Sequence, residues 1–261
     1  VVERYKLIGD KSPLPTIVGA QAEGLGRELK GQVISLAAFL HSQPKIPQTL
    51  LRFIAKGIRK IIALPMSPYY TSITSGAYLK ALDEARQELR DLEIVFIKSW
   101  HDHASFIKAW IDIISKSLAQ FPMARRRQVA VIFSAHSVPM RYIENGEPYK
   151  KQLEETADKI AKSLELDSWW LAYQSKGIRS VEAWLEPGVE KVLDEIEGRG
   201  YKDVLQVPLG FTCDHLETLY DIDIGHREYA RKKGLDFYRG ESLNASPLFL
   251  KALADIVREY L

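Results

Sequence analysis

Two side chains far apart in the chain have the types needed for proton or metal chemistry. His136 stands in VAVIFSAHSVP, residues 129–139, where five apolar, mostly β-branched residues run into a short polar turn. Glu217 stands in VLQVPLGFTCDHLETLYDID, residues 204–223, four positions before Asp221, a spacing that puts both carboxylates on one helix face. An imidazole facing a carboxylate can bind a divalent cation or carry protons near neutral pH. On a helix begun at Asp214, His215 points about 200° away from Glu217 and is expected to hold the turn. His101 and His103 flank Asp102 in a loop after a predicted strand and are expected to face solvent or play a supporting part.

The elements that must position His136 and Glu217 follow from the apolar pattern. Runs without polar alternation, at Val129–Phe133 and Val204–Phe211, suit parallel strands covered on both faces. Loops leaving the carboxyl ends of such strands are where ligands bind, and both residues lie in or after such a loop, with Asp214 as expected N-cap. Strands beginning at Val129, Trp169, Val204 and Leu235 alternate with helices at Tyr149–Leu164, Pro187–Glu197, Asp214–Tyr220 extended towards Lys232, and Ser246–Tyr260. Earlier, a loop over residues 1–13 precedes helices at Thr16–Lys30, Ile46–Lys56, Ala77–Leu89 and Ala104–Leu118, with strands at Val33–Phe39, Lys60–Met66 and Glu93–Lys98. Alternation of this kind builds βαβ units. The expected fold is therefore α/β: two similar Rossmann-like domains with parallel sheets and a cleft between them, over residues 1–122 and 123–245, closed by a C-terminal helix over 246–261.

At these residues the chain resembles the ferrochelatase family, which inserts ferrous iron into a porphyrin. The resemblance is carried by RYKLIGDKSPL, LPMSPYYTSITSG, SAHSVP, NGEPYKKQLEETA, YQSKG with Trp184 following, and VPLGFTCDHLETLYDID, and covers most of the chain. It implies a chelatase-type fold and a pocket across which His136 and Glu217 face each other, as metal ligands or proton acceptors, with the division of roles open. It further implies Asp221 as a metal-binding carboxylate, and Tyr69, Tyr70, Thr71, Ser72, Gln174, Ser175 and Trp184 as substrate-binding positions. Met66 and Phe133 are expected in the core. Where the family has a further carboxylate four positions after Asp221, this chain has Gly225, which breaks the expected acidic ladder. The family also begins with a strand ahead of the RYKLIG-like segment, so the first domain is expected to lack its first strand.

Composition bounds the rest. A hydrophobic share of 46% excludes disorder, and a net charge of +2 argues against a dedicated nucleic-acid binder. Arg125–Arg127, the basic cluster, reads as a solvated interdomain loop. A single cysteine, Cys213, excludes an internal disulfide and an all-cysteine iron–sulphur cluster. No permanently bound cofactor is expected, with Fe2+ and the porphyrin as substrates. No apolar run approaches the roughly 18 residues of a membrane span and no leader is visible, which gives a cytoplasmic monomer, with at most transient contact to a membrane surface, as the expectation. No G-x-S-x-G elbow or G-x-x-x-x-G-K-[ST] loop occurs, which removes serine hydrolases and P-loop nucleotide enzymes. Two alternatives stay open: a cobalt-inserting tetrapyrrole chelatase, and a porphyrin- or haem-binding protein without catalysis. Between substrates, coproporphyrin III is favoured over protoporphyrin IX because its four propionates make it the more soluble.

Overall fold

The computed structural model describes residues 2–89, 92–177 and 182–261. In chain order its elements are α1 (Val2–Leu7), α2 (Leu14–Glu28), α3 (Ile46–Ile54), β1 (Lys60–Ala63), α4 (Ser75–Glu88), β2 (Glu93–Phe96), α5 (Ala104–Ala119), a 3-10 turn (Met123–Gln128), β3 (Ala130–His136), α6 (Met140–Glu144), α7 (Tyr149–Ser163), β4 (Trp169–Gln174), α8 (Val189–Gly198), β5 (Asp203–Val207), a π-helix (Glu217–His226), α9 (Arg227–Lys232), β6 (Asp236–Arg239) and α10 (Pro247–Arg258). All strand pairs are parallel: β1 pairs with β2, and a second sheet has the order β4-β3-β5-β6. This is the α/β, parallel-sheet architecture that strand–helix alternation predicts.

β3 is central in the second sheet, and its two faces meet different layers. Val131 and Phe133 point into a core with Phe106, Trp110 and Ile114 of α5 and with Phe249 and Leu253 of α10. Ala130 and Ile132 point the other way, onto Val192, Leu193 and Ile196 of α8 and onto Ile222 of the π-helix. Burial on both faces explains why the run lacks polar alternation. Ser134 and His136 continue that second face towards the carboxyl end of the strand, so it changes from apolar to polar as it approaches the loops.

Three local expectations give way. Residues 33–39 form no strand: the segment makes a single bridge, Phe39 with Lys45, and although Val33 packs on the same cluster as Ile62 of β1 and Leu64, no hydrogen-bonded ladder forms. The opening stretch is not wholly loop, since Val2–Leu7 closes a helical turn with Glu3 at its start and Arg4 and Lys6 at its end, the charge order that suits a helix dipole. Asp214 is not an N-cap: helical structure after it opens at Leu216 and widens at once into the π-helix.

Candidate active site

β3 and the β5–π-helix connection bring His136 and Glu217 together. His136 Nδ1–H donates to the Ser137 carbonyl, which fixes the tautomer of the neutral ring and turns Nε2 outward. Nε2 stands 3.3 Å from Glu217 Oε1. The loop after His136 is braced: Ser137 N–H donates to Gln174 O (2.8 Å), Ser137 Oγ to Leu185 O (3.0 Å), and Tyr149 OH to His136 O (2.9 Å). Side-chain exposures of 36% and 32% leave both members of the pair reachable.

His215 also joins the pair, contrary to the helical expectation. It precedes the helix, so the 100°-per-residue rule does not apply, and its Nε2 folds back to 3.4 Å from Glu217 Oε2 while its ring packs on Phe211. Glu217 therefore lies between two imidazoles. Burial opposes its charge, yet the hydrogen bonds and charges of His136 and His215 outweigh burial and hold its carboxyl down to about 2. Burial likewise opposes the charged form of His136, but Glu217, the Ser137 carbonyl and the more distant Asp221 together raise it above the ordinary imidazole value. Cys213, two residues before His215, is pushed up to about 12 by burial and by Asp214, so it is a thiol and a poor metal ligand at neutral pH.

Asp214 anchors this segment from below. Its carboxylate accepts hydrogen bonds from Arg239 (2.8 Å), Ser242 (2.7 Å), Asn244 (2.9 Å) and Thr218 (3.1 Å). Arg239 also donates to Asp223 (2.9 Å), tying β6 to the π-helix. Gly210, which donates to Ser134 O (2.9 Å), lets the preceding loop lie against β3: a Cβ there would stand 2.6 Å from Ala135 Cβ and 2.7 Å from Ala135 Cα. Gly210→Ala is accordingly expected to cost about 1–3 kcal/mol through overpacking against backbone, seen as a lowered melting temperature. An unchanged melting temperature would mean the loop gives way freely.

The other predicted positions fall into supporting places. Gln174 is buried and its Nε2 donates to Glu217 O (3.1 Å). Ser175, held at a left-handed φ of 61°, donates through Oγ to Asp221, whose other oxygen accepts from Arg4 (3.3 Å). Asp221 thus shares its face with Glu217 but is already engaged by two donors. Tyr69 and Thr71 are fully buried, and Tyr69 OH donates to Leu209 O. The Tyr70 amide donates to Gln152, and exposed Ser72 donates to Glu147, so this loop is fastened to α7 and its approach. Trp184 forms a bridge with Pro139 and packs on Gly177.

None of these eight lines the main cavity. That cavity, about 850 Å3, has His136, His215, Phe211, Met66, Thr74 and Tyr78 on its walls. The unpaired 33–39 segment forms its far side. Met66 packs against the core from the cavity wall, and Phe133 is core as expected. Among the described residues no cluster of three or more His, Cys, Asp or Glu stands ready as a metal centre, and no helix is long and apolar enough to cross a membrane.

Comparisons with known proteins bear on the family and the fold. The family model described as Ferrochelatase matches residues 1–261. The chain is 39% identical to the ferrochelatase of Citrifermentans bemidjiense, over 99% of this chain and 81% of that protein. It is 40% identical to that of Herpetosiphon aurantiacus, over 97% and 85%. Among solved structures, SirB from Bacillus subtilis with Fe3+ superimposes with a TM-score of 0.66 at 14% identity, covering 92% of this chain and 88% of that one. At that identity the likeness shows a shared fold.

Proposed function

The chain belongs to the ferrochelatase family, whose reaction is insertion of ferrous iron into a porphyrin, and on that premise we propose that His136 and Glu217 are the reacting pair of this protein. The observation that carries the reading is the 3.3 Å approach of His136 Nε2 to Glu217 Oε1, with His136 on the wall of a cavity whose volume is in the range of small-molecule sites.

Two pyrrole N–H protons must leave the macrocycle as Fe2+ sheds water and takes the four ring nitrogens. A proton from a pyrrole N–H passes to the Nε2 lone pair of neutral His136, and Glu217, ionised throughout the physiological range, stabilises the imidazolium until it releases the proton to solvent. The second proton follows the same route after His136 resets. Glu217 supplies the negative charge that favours a divalent cation beside the ring, with Asp221 adding field from four residues on. His215, on the far oxygen of Glu217, keeps the carboxylate aimed. Phe211 and Met66 offer the macrocycle apolar wall, Thr74 and Tyr78 a hydroxyl-bearing rim. Tyr69 stands behind these walls, bonded to Leu209 O, and the Gln174 carbonyl braces the Ser137 backbone next to His136.

Coproporphyrin III is the substrate we favour. Anaerobic mixing of the protein with ferrous iron and either coproporphyrin III or protoporphyrin IX should convert the four visible porphyrin bands to the metalated pattern faster with the former. Faster conversion of protoporphyrin IX would reverse the substrate choice. Porphyrin bound with an unchanged spectrum in both cases would favour a binding protein without catalysis.

A further inference from the structure

Beneath the π-helix lies a row of buried polar side chains that the reaction does not use. Gln206 of β5 is fully buried; its Nε2 donates to Ser134 Oγ of β3 (2.9 Å) and to Gln174 Oε1 of β4 (3.3 Å), and its Oε1 accepts from His226 Nδ1–H (3.1 Å). Gln174 in turn donates to Glu217 O (3.1 Å). Strand register explains the row: Gln206 lies beside Ile132 and Gln174 beside His136, so with Ser134 all belong to the β3 face that the π-helix covers. Burial holds His226 below the ordinary imidazole value, in keeping with a neutral ring that donates through Nδ1.

Glu217 and His226 are the first and last residues of the π-helix. Nine positions apart on an α-helix, at about 100° per residue, they would point to opposite sides. Here Glu217 reaches His136 and His226 reaches Gln206, two residues on one face of one sheet. The wider i→i+5 winding of a π-helix brings such positions back into line. Both ends of the helix are then fastened to the same Gln206–Gln174 contact, one through the Glu217 carbonyl and one through the His226 ring.

We propose that Gln206 is a positioning residue for metal insertion: with His226 and Gln174 it clamps both ends of the π-helix to the sheet and so keeps Glu217 within reach of His136. The proposal rests on the reading of His136 and Glu217 as the reacting pair. Released from the clamp, the ten residues relax towards α-helical winding, the two ends diverge by roughly half a turn, and Glu217 turns away from His136.

The test is steady-state iron insertion by folded variants. Gln206→Leu should lower kcat by about 10- to 100-fold, as a misplaced catalytic group does, with the KM for porphyrin within about twofold. His226→Phe should do the same, and His226→Asn, whose amide N–H reaches where Nδ1 stands, should recover most of the loss. A kcat for Gln206→Leu within about twofold of the unaltered protein would overturn the proposal. If Gln206→Leu fails to fold, the His226 variants decide, and equal kcat values for His226→Phe and His226→Asn would overturn it. His136→Ala, run alongside, separates the two readings. Full activity in His136→Ala removes the reacting pair and this inference with it, whereas loss in His136→Ala with none in Gln206→Leu removes the inference alone.

Discussion

His136→Ala is expected to lower the rate of iron insertion by about 10²–10⁴-fold, the range for removing a positioned proton acceptor, while porphyrin affinity changes little. The asymmetry follows from geometry. The imidazole adds one edge to a cavity whose walls are mostly supplied by other residues, so truncation removes little of the surface that holds a macrocycle. It does remove the outward-facing Nε2 and leaves Glu217 facing space. The surrounding loop should persist, because Tyr149 binds the His136 backbone carbonyl and Ser137 binds Gln174 and Leu185 without help from the ring. Absorption at the porphyrin bands under anaerobic ferrous iron gives the rate, and quenching of porphyrin or tryptophan fluorescence gives the affinity. A variant that binds porphyrin and inserts iron at the full rate would assign the proton chemistry elsewhere, with His215 the first residue to examine.

How much of this was legible in the sequence depended on whether local pattern or tertiary pairing decided the outcome. β3 and β5 were legible because each is a short, mostly apolar run followed by a helix, and burial on both faces leaves no other use for such a run. Val33–Phe39 has a similar composition but no hydrogen-bonded ladder, and strand structure needs a paired partner that composition cannot supply. Pairing of SAHSVP with TCDHLETLYDID located His136 and Glu217, yet the part of His215 was hidden. Its reach to Glu217 depends on lying outside the helix, a boundary that pattern places only to within a few residues. Tyr69 and Thr71 looked like pocket residues by type and neighbourhood, but their hydroxyl-rich loop is folded onto α7 by Glu147 and Gln152, a contact about 75–82 residues distant in sequence. The polar row did leave a trace. Gln206 interrupts VLQV, and Ser134 interrupts VAVIFSAH, where a strand buried on both faces should be apolar; a polar residue in such a run requires a buried partner.

Glu217→Gln tests the electrostatic half of the site, and its outcome has a sign. Iron insertion needs His136 neutral, so kcat/KM should rise with pH through the His136 pKa. That pKa lies above the ordinary value of about 6.5 because Glu217 favours the imidazolium against the opposing effect of burial. Glu217 itself, held down to about 2, stays ionised across the whole range assayed and cannot produce this limb. Replacing the carboxylate by an amide preserves size but removes the charge and one of the two acceptor oxygens, leaving burial as the dominant influence on His136. The acid limb of kcat/KM should then move to lower pH, and a larger share of His136 should be neutral at pH 6. The maximal rate should nevertheless fall, by about 10²-fold or more, because the imidazolium formed on taking a pyrrole proton loses its counter-charge and Fe2+ loses a nearby anion. A protein with more of its base in the reactive form would thus be the slower one. An acid limb that stays in place in Glu217→Gln would show that it belongs to some other group, and a limb that moves up would reverse the assigned direction of the interaction. A downward shift with an undiminished rate would leave Glu217 as a modifier of the His136 pKa and remove it from the handling of iron.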